Sequence, residues 1–291
     1  MNRFFAFVTV PIRVIASVFC EAIFSIKRLL HRYSDQKYSK LLAMTLKIFI
    51  FLYFTSNVWA QVDEAQLTVQ FHQAGISYKA KDYQKAIELY EGIVKTGWGN
   101  GALFYNLGNS YFKDGQLGKA ILNYERARRL TPRDPDLNSN DQYAISQMKN
   151  PESSMPQPLV NRAMNHYADF FTLDELTLMV FFFFFLTGIF YFLGLFLKWP
   201  PKIRLFWILV CCFLLFFHGF ILAHKIGQQK NLAVVLSDTP ARFEPLPGAT
   251  AYFELTPGGK VKILTKEGDW LKVKRLDGKV GWVNAEVVER I

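Results

Sequence analysis

The chain has 291 residues, 51% of them hydrophobic and 16% aromatic, and its 34 Lys/Arg against 24 Asp/Glu give a net charge of +10. That length allows several domains, but the charge is unevenly placed: residues 1–60 hold eight Lys/Arg and two Asp/Glu, which leaves +4 for residues 61–291. No later segment clusters Lys/Arg with interleaved aromatics, so nucleic acid is not an expected partner, and Cys20, Cys211 and Cys212 supply neither a disulfide framework nor an exported redox site.

The first element is a secretory signal over 44–60. Met44-Thr45-Leu46-Lys47 gives the charged start, Ile48–Phe54 the apolar run, and Val58 and Ala60 the small residues before a cut that would leave Gln61 as the mature start. Residues 1–43 fit this badly, because Pro11, Arg13 and Glu21 interrupt the apolar stretch from Phe4 to Ile26. They read as an upstream extension or a mis-assigned start, or else as a basic membrane-surface segment.

Residues 61–149 are expected to be helical. Ala86 matches Ala120 and Tyr90 matches Tyr124 at a spacing of 34 residues, within DYQKAIELYE and QLGKAILNYE. That period belongs to helix-turn-helix repeats. Phe104, Leu107, Gly108, Tyr111, Ala120, Tyr124, Ala127 and Pro132 resemble the tetratricopeptide (TPR) signature; the first copy is weaker, with Gln70 and Gln73 at apolar positions. Gly108 and Ala120 are small where two helices should cross closely. Asp136–Lys149 reads as a solvating third helix, and two repeats bury so little that a partner protein is expected to cover the open end.

In the TPR family the first helix of each repeat lines a ligand groove. The resemblance puts Tyr105, Asn106, Asn109 and Phe112 there in the second copy, Phe71 and Tyr78 in the first, and Asn140 at the position of Asn106 one repeat later. Their amides are suited to gripping a peptide backbone, or they cap and solvate helices.

Residues 150–175 comprise a Pro/Ser-rich linker and an amphipathic juxtamembrane segment, with Leu159, Val160, Ala163, Met164, Tyr167, Phe170 and Phe171 at helical spacing. Thr172-Leu173-Asp174-Glu175 offers a capping box. Two apolar spans follow, 176–197 without a charge and 205–224 with His218 inside, separated by the basic loop 198–204. Each is long enough to cross the hydrocarbon core, and the basic loop is expected on the cytoplasmic side. His218 is either functional or a packing hydrogen bonder.

Residues 232–291 change to short alternating strands, LAVVL, AYFEL, GKVKILT, DWLKVKR and KVGWV, with Asp277-Gly278 as a tight hairpin. The segment resembles a bacterial SH3 domain through Ala233-Val234-Val235, Arg242-Phe243-Glu244-Pro245, Gly268-Asp269-Trp270 and Gly281-Trp282-Val283, which implies a small β-barrel. Trp270 and Trp282 form either a floor for a peptide or glycan or part of the core.

The fold class expected is therefore a multidomain membrane protein: an α-helical TPR solenoid, a transmembrane helical hairpin and a small all-β SH3-like barrel. No catalytic motif is present, nor a zinc-binding or phosphate-binding one, so the chain reads as a non-enzyme without cofactors. The order of signal, TPR pair, hairpin and SH3 domain is similar to that of BatE-type proteins of aerotolerance operons, over about residues 44–291. That resemblance implies a scaffold in an envelope stress complex, anchored as a two-pass protein of the inner (cytoplasmic) membrane with both soluble domains periplasmic. Its implied partners are von Willebrand A-domain or TPR membrane proteins and, indirectly, a MoxR-type ATPase. A cell-wall sensor that binds peptidoglycan through its SH3 domain is the competing reading.

Overall fold

Local sequence rules set the first five helices: α1 (65–79), α2 (Tyr83–Lys95), α3 (Gly101–Lys113), α4 (Leu117–Leu130) and α5 (Pro135–Ser146). Asp82 accepts from Lys85 N–H, Asn100 from Leu103 N–H, and Asp134 from Asp136 and Leu137 N–H, so α2, α3 and α5 each begin on a side-chain cap. Pro135 takes the first helical position, where its missing N–H costs nothing. The computed structural model describes residues 65–149 and 158–291. The expected signal, the segment upstream of it, the cleavage position and linker residues 150–157 lie outside these.

The helices pair as the 34-residue period predicts. A Cβ added to Gly108 would lie 2.7 Å from the Tyr124 ring and 3.2 Å from the Ala120 carbonyl, so α3 and α4 approach as closely as the small residues allow. Tyr90, Leu107, Tyr111, Ala120, Ile121 and Tyr124 fill the surrounding core. In the degenerate first copy, Gln70 donates to Leu89 O across the helix pair (3.0 Å) and does not pack as an apolar group would.

Helix α6 (Leu159–Phe170) is followed by α7 (Leu173–Phe196) and α8 (Pro201–Gln229). Thr172 and Glu175 form the capping box reciprocally. Phe190 stacks on Trp207 at one end of the pair and Leu176 packs with Ile221 at the other, so α7 and α8 run antiparallel. Both are long and apolar enough to cross a membrane. The connector is shorter than the basic loop expected, because helix resumes at Pro201, which is pre-set for a first turn, and α8 takes in Lys202 and Arg204.

The C-terminal strands are β1 (Leu232–Val235), β2 (Thr239–Arg242), β3 (Ala251–Leu255), β4 (Lys260–Glu267), β5 (Trp270–Arg275), β6 (Val280–Asn284) and β7 (Val288–Arg290). They form one antiparallel sheet in the order β3-β2-β6-β5-β4-β1-β7. By hydrogen bonding it is an open sheet with β3 and β7 as edges. Alternate residues, among them Val235, Phe253, Val261, Val273 and Val283, bury the core. Gly278 supplies the positive φ (92°) that the Asp277-Gly278 turn between β5 and β6 needs. Strand β2 carries Pro240 and does not read as a strand from sequence; it is tolerated because β2 meets β6 only through Arg242 opposite Trp282.

Candidate functional site

On the side where a groove was expected, α3 and α5 bring three of the expected residues together. Asn140 Nδ2 donates to Tyr105 Oη (2.9 Å) and to Asn109 Oδ1 (3.0 Å), and the same Asn109 oxygen accepts from Tyr124 Oη (2.8 Å). Burial, with Tyr105 and Tyr78 nearby, raises the Tyr124 phenol above its ordinary pKa, so it remains a donor at neutral pH. Asn109 and Asn140 thus tie α3 to α5 by bonding one another. Asn106, one turn before Ser110, is half-buried and its amide makes no hydrogen bond to another described residue.

Phe112 packs edge-on against Tyr143 (5.6 Å), an exposed ring that the sequence reading missed although it lies three residues after Asn140. Tyr78 is half-buried against Tyr83 (5.5 Å). Phe71 is spent differently: its ring meets Tyr90 at 5.4 Å between α1 and α2, so it belongs to the helix contact more than to the groove.

On the sheet, Trp270 and Trp282 are half-buried and neither joins the core, so of the two alternatives the core one does not hold for either. Small side chains and Phe253 already fill the interior, and strand alternation turns Trp282 outward between buried Gly281 and Val283. Lys272 Nζ lies 5.6 Å over its ring. The sequence also hid a second aromatic surface, Phe243 tilted against Tyr252 at 4.6 Å, both well exposed.

The junction between the two modules is the main departure from expectation. Val234, Leu236 and Ile291 join the helical core. A Cβ on Gly118 would come 2.7 Å from Leu236 Cα, so this glycine lets β1's exit strand lie against α4. Arg126 donates to Glu289 (2.7 Å) and to Arg290 O (2.9 Å), and Arg129 to Ile291 O (2.8 Å). Glu125, 5% exposed, pairs with both Arg128 and Lys260. Burial by itself would raise its pKa, but Lys260 and Arg128 prevail and hold it low. The flank of the short solenoid, expected to need a partner, is covered by the chain's own C-terminal sheet.

Both modules also touch the hairpin, the sheet through Lys262 Nζ, 3.5 Å from Gly227 O. Arg133 donates to Phe170 O (3.5 Å) and pairs with Glu175 at the start of α7, while Arg129 reaches Gln229 O (3.3 Å) at the end of α8. Lys225 is buried and donates to Ala168 O (2.7 Å) and Phe171 O, capping the last turn of α6. His218 Nδ1 donates to Leu214 O (2.8 Å), and Nε2 lies 3.1 Å from Tyr167 Oη. The Tyr167 contact links α6 to α8.

Two segments have recognised relatives. Residues 101–134 match the tetratricopeptide repeat and residues 238–289 match the bacterial SH3 domain. The TPR match covers the second repeat, α3 and α4, where the signature residues converge on Gly108. The bacterial SH3 match runs from β2 into β7. No curated protein matches the chain. Modules of these two kinds bind proteins or peptidoglycan and are typically not catalytic. Among the described residues no cluster of His, Cys, Asp or Glu is arranged to hold a metal.

Proposed function

We propose that this chain is a membrane-anchored, non-enzymatic adaptor that offers one rigid TPR–SH3 head outside the cytoplasm to other envelope proteins. The observation that carries the reading is that both modules attach to the same end of the α7–α8 hairpin, the helical one through Arg133 on Glu175 and Arg129 on Gln229 O and the sheet through Lys262 Nζ, 3.5 Å from Gly227 O. The opposite end carries Lys198, Lys202 and Arg204, and such an end is retained in the cytoplasm. An antiparallel two-span anchor then leaves both modules on the far side. Within the head, Tyr105, Asn106, Phe112 and Tyr143 form the surface for a partner, and the module order supports a BatE-like complex with von Willebrand A-domain or TPR membrane proteins.

Reporter fusions test the anchor: those after residues 140 and 291 are expected to be active outside the cytoplasm and one at 201 inside. A cytoplasmic C-terminus would refute it. The partner role is tested by photocrosslinking from Asn106 in intact membranes, with a von Willebrand A-domain or TPR membrane protein as the expected product.

The outward placement of Trp270 and Trp282 favours a second reading, a wall-binding SH3 surface. Co-sedimentation of the detergent-solubilised full chain with purified sacculi, abolished by Trp282→Ala, would select it.

A further inference from the structure

Strands β4, β5, β6 and β2 place four cations and one indole side by side on the outer face of the sheet. Lys262 stands directly opposite Lys274, Lys272 opposite Trp282, and Arg242 on the other side of Trp282. Neighbouring strands are about 4.8 Å apart, and like charges held directly opposite one another destabilise a sheet. No carboxylate offsets this: among the described residues none pairs with Lys262, Lys272 or Lys274. The neighbouring Lys260 is spent on Glu125. Other basic groups of the same head do have carboxylate partners, among them Arg126 on Glu289, Arg133 on Glu175 and Arg275 on Asp277.

The position of this face suggests its counter-charge. Lys262 Nζ lies 3.5 Å from Gly227 O, in the last turn of α8, just beyond the apolar span. An ammonium there sits at headgroup depth if α8 crosses the bilayer. Half-buried Trp270 and Trp282 on the same face are the residue type that favours the membrane–water boundary. On the other flank, α6 exposes Leu159, Val160 and Phe170, an apolar edge suited to the same boundary.

We propose that the Lys262–Lys274–Lys272 face of the SH3 sheet is a docking surface for anionic phospholipid headgroups, which neutralise the opposed lysines and fix the head against the membrane. This rests on the reading of α7 and α8 as membrane-spanning. Lipid phosphates supply negative charge as a dense layer, which suits a row of cations spaced one strand apart. Each lysine near such a surface adds to the attraction, and the effect is screened by salt.

The test uses the full chain in lipid nanodiscs made either of phosphatidylcholine alone or of phosphatidylcholine with phosphatidylglycerol. Acetylation rates of individual lysines are read by mass spectrometry, with Lys85 on α2 as the internal reference. Phosphatidylglycerol is expected to slow modification of Lys262, Lys272 and Lys274 several-fold relative to Lys85, and added salt to reverse the protection. In the Lys262→Gln, Lys274→Gln double variant the protection of Lys272 is expected to disappear. Equal rates in the two lipids, or the same protection from free glycerol phosphate in phosphatidylcholine discs, would overturn the assignment to lipid. Release of the chain from the discs by an alkaline wash would instead remove the spanning reading, and the lipid site with it.

Discussion

Glu125 in the TPR unit and Lys260 in the SH3 sheet form an ion pair across the junction of the two modules, with Arg128 on the same carboxylate. A buried carboxylate is costly unless it is fully paired. Here the second partner comes from the other module, so separating them would leave Glu125 with Arg128 alone. The head is therefore expected to move as a unit, and the α4 flank of the solenoid is not a vacant stacking end for another protein. The groove and the outer SH3 face remain available.

Gly118→Val is expected to undock the modules. The new side chain collides with the Leu236 backbone, which cannot step aside without moving β1, and overpacking of this kind costs about 1–3 kcal/mol. The expected result is a lower melting temperature and new proteolytic cleavage near residues 229–232, with the circular dichroism of both modules retained. Unchanged protease resistance would show that the junction is not held by this contact.

The junction has a defined pH response. Asp141 is buried beside Glu125, and burial followed by that neighbouring charge raises its pKa from 3.8 to about 6 against the pull of Arg128 and Lys260. Between those values the folded head holds a proton that the unfolded chain releases, so this group's contribution to stability falls as pH rises toward 6. Glu125, held low, acts in the opposite sense: its contribution is present above the ordinary carboxylate range and is lost in acid. Asp141→Asn should therefore stabilise the head above about pH 7 by ~1 kcal/mol and flatten the stability profile between about pH 4 and 6. Chemical denaturation across this range checks it, and a destabilised variant at neutral pH would count against it.

The groove asparagines should separate into two kinds. Asn140→Ala removes the donor to Tyr105 and Asn109 and is expected to cost about 1 kcal/mol of stability. Asn106→Ala breaks no such bond and should leave the melting temperature unchanged while weakening partner capture. Equal melting shifts for the two variants would refute this division.

Lys225 holds α6 on the hairpin through two carbonyls. Lys225→Met keeps the length of the side chain but not the donor, and should raise hydrogen exchange over residues 165–171 several-fold, with α7 unaffected. No change in exchange would mean that Tyr167 and Phe171 packing is sufficient to hold the helix.

The local elements were legible because their causes are local. The 34-residue period carried the helix pair, Gly108 and Ala120 marked its crossing, Thr172 and Glu175 announced the start of α7, and Asp277-Gly278 fixed a hairpin. The presence of two long apolar helices was legible from length and polarity, but not their bounds: α7 starts at Leu173 and α8 runs from Pro201 to Gln229, beyond the expected 205–224 at both ends. Strand β2 was missed because a proline in a four-residue strand is readable only once its neighbours are known.

What the sequence determined by itself was the set of modules and their order, since each rests on periodicities and caps within a few tens of residues. Tertiary structure decided what those modules do with their surfaces. Gly118 reads as a mere weakness in a helix until Leu236 is seen against it, and Asn109 and Asn140 look like free ligands until their amides are found bonded to each other. Trp282 could have faced either way, because the parity of one short strand selects core or solvent. In each case the deciding partner lies on another element of the fold, and such pairings depend on the geometry of approach, which no local pattern encodes.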